Sequence, residues 1–192
     1  MTPAVALAFM AVVEATPAEE PKPNVVIPVI HDASLMVVMR TTETILWPDP
    51  FARTEHFAAH YEEAYTKAPI FDTWRRPFSW DGDPWYINTI GHGLFGSELY
   101  LRARQCHLGW LGSLATAAVG STIWEYVFEA NGVRPSAFDL AWTPIVGGLG
   151  LGEARFQAYK LAGGIESKTG RTIVRAVLDP LGDAERALGT RC

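Results

Sequence analysis

Hydrophobic and polar positions follow a helical period along most of this chain. From Phe51 to Ala68, the residues Phe57, Tyr61, Ala64, Tyr65 and Ala68 form one apolar stripe. From Trp85 to Gln105, Asn88, His92, Gly96 and Tyr100 stand four apart, so this helix turns an amide, an imidazole and a glycine toward a neighbour. The next helix, Leu108 to Ala130, carries a face of small residues (Gly109, Ser113, Ala117, Ser121) against which another helix can lie closely. Its end holds Glu125 and Glu129 on one face. Ser136 followed three residues later by Asp139 resembles a capping box and starts a further helix, on which Asp139, Thr143, Val146, Gly150 and Glu153 share a stripe. Pro144 should kink it, and it should run to about Ala162.

The remaining helices are expected from Ala33 to Trp47, capped by Asp32, and from Thr169 to Leu188 across Pro180. Only Val25 to Ile30 has a strand-like pattern, so the expectation is an all-α fold. It would be a compact bundle of five to six helices, with Gly-rich, closely packed central helices.

Residues 1–18 read as a signal peptide: Ala4 to Val13 is an uninterrupted apolar run, too short to span a bilayer, followed by small residues ending at Ala18. No Lys or Arg precedes the run. Residues 19–31, rich in Pro and charge, read as an extended linker, and residues 32–192 as a single helical domain.

The formal net charge of -5 argues against a nucleic-acid partner, which would call for a basic face. Twelve Arg against four Lys suit bidentate pairing with carboxylates inside the fold. Cys106 and Cys192 fit an exported protein, where they either form a disulfide or remain two unrelated thiols. Cys106 to Trp124 is nineteen residues without a formal charge, long enough for a membrane span though rich in Gly, Ala, Ser and Thr. Membrane contact through three uncharged, Gly-rich stretches, Pro84 to Ser97, Cys106 to Trp124 and Leu140 to Gly152, would require Asn88, His92 and Asp139 to face inward.

Candidate chemistry concentrates between Trp80 and Arg155. Asp81-Gly82-Asp83-Pro84 reads first as a helix start, with Asp83 as N-cap and Pro84 at the first helical position, and second as a cation loop. The expected polar network comprises Asp83, Asn88, His92, Arg104, Ser121, Glu125, Glu129, Ser136, Asp139, Glu153 and Arg155. Of these, His92, Glu125, Glu129 and Asp139 are the catalytic candidates. His56 and His60, with Glu63 three residues on, form a loose metal pattern, read in the first place as a polar shoulder. No cofactor motif is present: Gly147 to Gly152 follows no strand and lacks the spacing of a phosphate-binding loop.

Asp81-Gly82-Asp83-Pro84-Trp85, Asn88, His92, Gly96, Tyr100, Ala103-Arg104, Gly109, Ser121, Trp124-Glu125, Glu129, Pro135-Ser136, Asp139, Thr143, Gly147 and Gly152-Glu153 together resemble a bacterial domain of unknown function family, number 3943. The similarity spans about Asp32 to Gly189. This chain has His92-Gly93 where the family commonly has His-Pro, and it lacks the β-rich outer-membrane-like region of longer members. The resemblance implies an exported, envelope-associated helical domain and no established activity. Two functions follow as expectations. One is a buried polar network with a structural role or a lipid- or protein-binding role, the partner being an envelope lipid or outer-membrane protein. The other is hydrolysis of an envelope lipid or glycan by His92 with Glu125, Glu129 or Asp139.

Overall fold

The computed structural model describes residues 21–187, 189 and 192, so the expected signal peptide lies outside the described residues. Among the described residues the regular elements are all helical: α1 Val26–Leu46, α2 Pro48–Phe51, α3 Phe57–Thr66, α4 His92–Gln105, α5 Trp110–Ile123, α6 Ala137–Trp142, α7 Glu153–Ala162, α8 Lys168–Leu178 and α9 Pro180–Ala187. Three wider helical stretches splice these together. Ile87–Gly91 leads into α4, Trp124–Phe128 extends α5, and Thr143–Gly152 joins α6 to α7. The last of these contains Pro144, which has no N–H for the usual i→i−4 bond; the Gly-rich run that follows is helix and not loop.

The division is finer than five to six helices, for identifiable reasons. The N-terminal helix starts at Val26, because the Asn24 side chain accepts the N–H groups of Val26 (2.9 Å) and Ile27 (3.3 Å). Residues 26–31 are therefore helical and not linker, and Asp32 is a buried residue inside α1 and not its cap. At the other end Asp179 accepts the Gly182 N–H at 3.0 Å and, with Pro180 next, starts a new helix within the expected 169–188 segment.

Helix α4 is the axis of the fold, with most of its residues buried. It packs on α5 and most closely on Thr143–Gly152. A Cβ at Gly96 would collide with the Thr143 carbonyl group, and one at Gly147 would stand 2.7 Å from the Gly93 carbonyl oxygen. Backbone meets backbone here, which is how α4 and the 143–152 stretch bring their polar side chains together. The apolar core is small: Met36, Phe95, Leu99, Tyr100, Ala117 and Trp124.

The exterior, by contrast, carries many aliphatic side chains. Val29, Ile30 and Val38 on α1, Leu111 and Val119 on α5, and Ile145 are all exposed. Two apolar grooves flank α1. One of about 410 Å³ lies against α5, between Val29 and Val119, and one of about 550 Å³ is lined by Leu35, Leu94, Leu151 and Val177. Residues 106–124 do not form one helix, since Cys106–Gly109 turns the chain with His107 at φ 65°. Among the described residues no helix is long and apolar enough to cross a membrane. Cys106 and Cys192 are joined in a disulfide with Cα atoms 4.6 Å apart, within the ordinary range.

Candidate functional site

The chain reverses between α5 and α6, and this reversal assembles the acidic centre. Ser136 caps α6, its hydroxyl accepting the Asp139 N–H at 3.2 Å. The reciprocal bond of the capping box comes from elsewhere: Glu125 Oε2 accepts the Ser136 N–H at 2.8 Å. The Asp139 carboxyl is thereby released from the cap and points with Glu125 toward His92. His92 Nδ1 lies 4.0 Å from Glu125 Oε1, and Nε2 lies 3.8 Å from Asp139 Oδ2. The Thr143 hydroxyl is 3.1 Å from Nδ1. All three side chains are buried.

Asp81 is the fourth member. Its carboxylate accepts the Ser136 hydroxyl at 2.6 Å, the Asn88 amide at 2.7 and 2.9 Å, and the Asp83 N–H at 2.9 Å. The Ile87 and Asn88 N–H groups bond the Pro84 carbonyl oxygen, and among the described residues no N–H bonds the Asp83 carboxyl, so Asp83 does not play the capping role expected of it; its carboxyl lines a cavity instead. Aromatic packing of Phe78 and Trp80 on Phe138 holds this segment against α6.

That cavity, of about 230 Å³, is lined by Asp81, Asp83, Glu125, Glu129, Ser136 and Asp139, with His60, Glu63 and Arg134 also on its wall. Glu129 and Asp83 are shared with a second cavity of about 270 Å³ that reaches Glu43. The carboxylates are not matched by bases. Arg134 pairs with Glu63 (3.2 Å) and Arg40 with Glu43 (3.7 Å). Among the described residues His92 is the one basic group within 4.0 Å of Glu125 or Asp139, and Glu129 has none. Glu125 Oε1 and Asp139 Oδ1 are buried and accept no hydrogen bond among the described residues.

Burial and mutual repulsion set the protonation pattern. Desolvation, then the nearby acids Asp81 and Asp83, push Glu125 up to about 8, against the Ser136 N–H that lowers it. Desolvation, then Glu125 and Asp81, push Asp139 up to about 10, and a hydrogen bond with Asp81 adds to the shift. Glu129 is raised by burial and by Glu125. Burial would raise Asp81 too, but the bonds from Ser136, Asn88 and Asp83 outweigh it and hold Asp81 below the usual carboxylate range. Burial lowers His92 to about 4, so its imidazole is neutral at pH 7.

The single network expected from the sequence is thus divided. His92, Asn88, Glu125, Glu129, Ser136, Asp139 and Asp83 meet at the acidic centre. Ser121 is beside it, its hydroxyl 3.3 Å from the Asp139 carbonyl oxygen. Arg104 and Glu153 form a separate pair (2.9 Å) joined by the Tyr100 hydroxyl. Arg155 serves another cluster, where it bonds Ser97 and Glu98. That cluster went unread in the sequence. It holds Arg102 with Asp179 (3.4 Å) and Glu185 (3.2 Å), and His31 with Glu185. Its one sequence signal was Glu98 and Arg102 at i,i+4 spacing. His56 and His60 do not form a metal trio with Glu63, since His60 Nδ1 bonds the Asn131 carbonyl oxygen at 2.6 Å and Glu63 pairs with Lys67 and Arg134. Asp81 and Thr143 are the members of the centre that the expected network omitted.

Residues 77–181, more than half of the chain, match the profile of Domain of unknown function (DUF3943), so the chain belongs to that family. The match is narrower than the resemblance read from about Asp32 to Gly189. No curated protein and no solved structure matches the chain.

Proposed function

We propose, with membership of a family of undefined activity as premise, that this domain is a binding module of the cell envelope whose acidic cavity takes a cationic ligand. The observation that carries the reading is the pair of buried, unpartnered acceptors, Glu125 Oε1 and Asp139 Oδ1, on carboxyls that line a cavity. A network kept only to fix helix register would satisfy its acceptors, because each buried unsatisfied polar group costs roughly 1–3 kcal/mol. Several acids gathered without bases are relieved either by protonation or by a bound positive charge. Thermal unfolding of the purified protein with ethanolamine, Ca²⁺, Mn²⁺ or Zn²⁺ tests this. At least one of these cations raises Tm, and Glu125→Gln with Asp139→Asn removes the effect; no rise with any of them refutes a cation-binding role.

The envelope setting is supported by the apolar leader-like run of Ala4 to Val13 and by the exposed aliphatic grooves on both sides of α1, which suit a lipid surface. N-terminal sequencing of protein from envelope fractions should begin after Ala18, and the protein should float with phospholipid vesicles. An intact Met1 in a cytosolic fraction, or no flotation, removes this setting.

Hydrolysis is the second reading, favoured by the opposite shifts of Asp81 and Glu125. An ionised carboxylate beside a protonated carboxyl is the pairing that acid–base catalysis uses. Release of product from envelope lipid or glycan extracts by the wild type, and none by Asp81→Asn, would establish it.

A further inference from the structure

We propose that His92, Glu125 and Asp139 coordinate one divalent first-row transition-metal ion at the buried wall of the acidic cavity. The proposal rests on the cavity being cation-accepting and names the ion and its ligands.

One ligand atom from each residue lies within 4.8 Å of the other two. Bonds of about 2.1 Å in a tetrahedral arrangement place neighbouring ligand atoms about 3.4 Å apart. His92 Nε2 and Asp139 Oδ2, at 3.8 Å, are a few tenths of an ångström wider than that. Glu125 Oε1 lies 4.0 Å from His92 Nδ1, the other ring nitrogen, so coordination through Nε2 requires the His92 ring or the Glu125 side chain to turn as the ion binds.

Each ligand is already aimed by a neighbour. Thr143 Oγ1 lies 3.1 Å from His92 Nδ1; in the tautomer protonated at Nδ1 it accepts that N–H, and Nε2 is the atom left to coordinate. The Ser136 N–H occupies Glu125 Oε2 and leaves Oε1 unpartnered. Asp139 faces His92 Nε2 with Oδ2 and keeps its other oxygen, Oδ1, unpartnered, because the capping bond it would have made is supplied by Glu125. These are buried, unsatisfied acceptors, the condition a metal ion resolves.

The donor set selects the ion. One imidazole nitrogen and two carboxylates suit Zn²⁺, Mn²⁺ or Co²⁺, whereas Ca²⁺ and Mg²⁺ take oxygen donors. Glu125 and Asp139 also line the cavity, so coordination positions beyond the three protein ligands face open space where water or a substrate atom can bind.

The test uses the full protein, stripped of metal with a chelator, then titrated with Co²⁺ and Zn²⁺ by visible absorption and calorimetry, with ethanolamine titrated separately. One Co²⁺ per chain is expected, displaced by Zn²⁺. Asp139→Asn and Thr143→Val should each weaken binding at least tenfold, whereas Glu63→Gln, at the cavity wall, should not. A readout that needs no variant keeps the proposal falsifiable should those variants fail to fold: ¹⁵N spectra of the wild type should show Zn²⁺ shifting one of the five histidine rings. Ethanolamine binding without binding of either metal overturns the metal site and leaves the cation-accepting cavity standing. Failure of both overturns the metal site, and the cation-accepting cavity falls with it if Ca²⁺ and Mn²⁺ also leave Tm unchanged. Metal binding that moves no histidine ring, or that Asp139→Asn leaves unchanged, also overturns it.

Discussion

Glu125 Oε2 accepts the backbone N–H of Ser136 at 2.8 Å, completing the cap of α6 from the neighbouring helix. This bond ties the end of α5 to the start of α6, and it leaves the nearer carboxyl, Asp139, without a capping duty. Ser136→Ala should therefore cost more than an ordinary exposed cap. It removes the acceptor for the Asp139 N–H and the donor to Asp81, and a loss of about 2 kcal/mol is expected in urea unfolding. A loss within about 0.5 kcal/mol, the size usual for surface positions, would show that the cap does not hold the centre together.

Glu125→Gln should behave in the opposite way. The amide oxygen can still accept the Ser136 N–H, and the substitution takes a carboxyl out of a repulsive cluster. Stability at pH 7 is expected to change by less than about 1 kcal/mol, while cation binding falls. Combined with His92→Ala, 4.0 Å away, the losses should depart from additivity by at least about 0.5 kcal/mol. A collapse of the Glu125→Gln variant would indicate that a purely structural network needs the charge.

Acidity should stabilise the cation-free protein. Asp139 at about 10, Glu125 at about 8, Asp32 at about 8 and Glu43 at about 7 all hold protons in the folded state that the unfolded chain releases near pH 4. Each contribution is complete below the unfolded value and is lost as pH rises through the folded one. His92, depressed to about 4, acts in the other direction, but only between about pH 4 and its unfolded value of 6.5. From pH 6.5 to 10 the carboxyls act alone, so Tm should fall steadily across that range. A Tm that rises between pH 7 and pH 9 without added cation would contradict the protonation pattern.

Gly96→Ala should disrupt the packing of α4 on the 143–152 stretch, since the added methyl meets the Thr143 carbonyl and not a flexible side chain. A loss of about 1–3 kcal/mol is expected from guanidinium unfolding. Gly109→Ala, where a methyl would meet nothing within 4 Å, measures the ordinary effect of such a substitution, and equal losses at the two positions would rule out the close approach.

The helical elements and the inward line of Asn88, His92 and Gly96 were legible because a 3.6-residue period places them on one face. Ser136 was legible as a cap for the same kind of local reason. What could not be read were the pairings across space. Arg104 went to Glu153 and Arg155 to Glu98 because α7 packs along the C-terminal half of α4, away from His92, and no local pattern encodes that choice. Asp32 looked like a cap because a charged residue preceded an apolar run, whereas Asn24, eight residues earlier, starts the helix. The second ionic cluster depends on α9 returning to α1 and α4 with Glu185, a contact between residues far apart in the chain.

The central claim is that Glu125 and Asp139 surrender protons to a cation. Calorimetric titration of the metal-stripped protein with Zn²⁺ at pH 7, repeated in buffers of different ionisation enthalpy, counts those protons. The account predicts release of about one or more protons per bound ion, because ligands held protonated must ionise to bind, and a smaller release for Glu125→Gln. Binding with no proton release, or no binding at all, would contradict it.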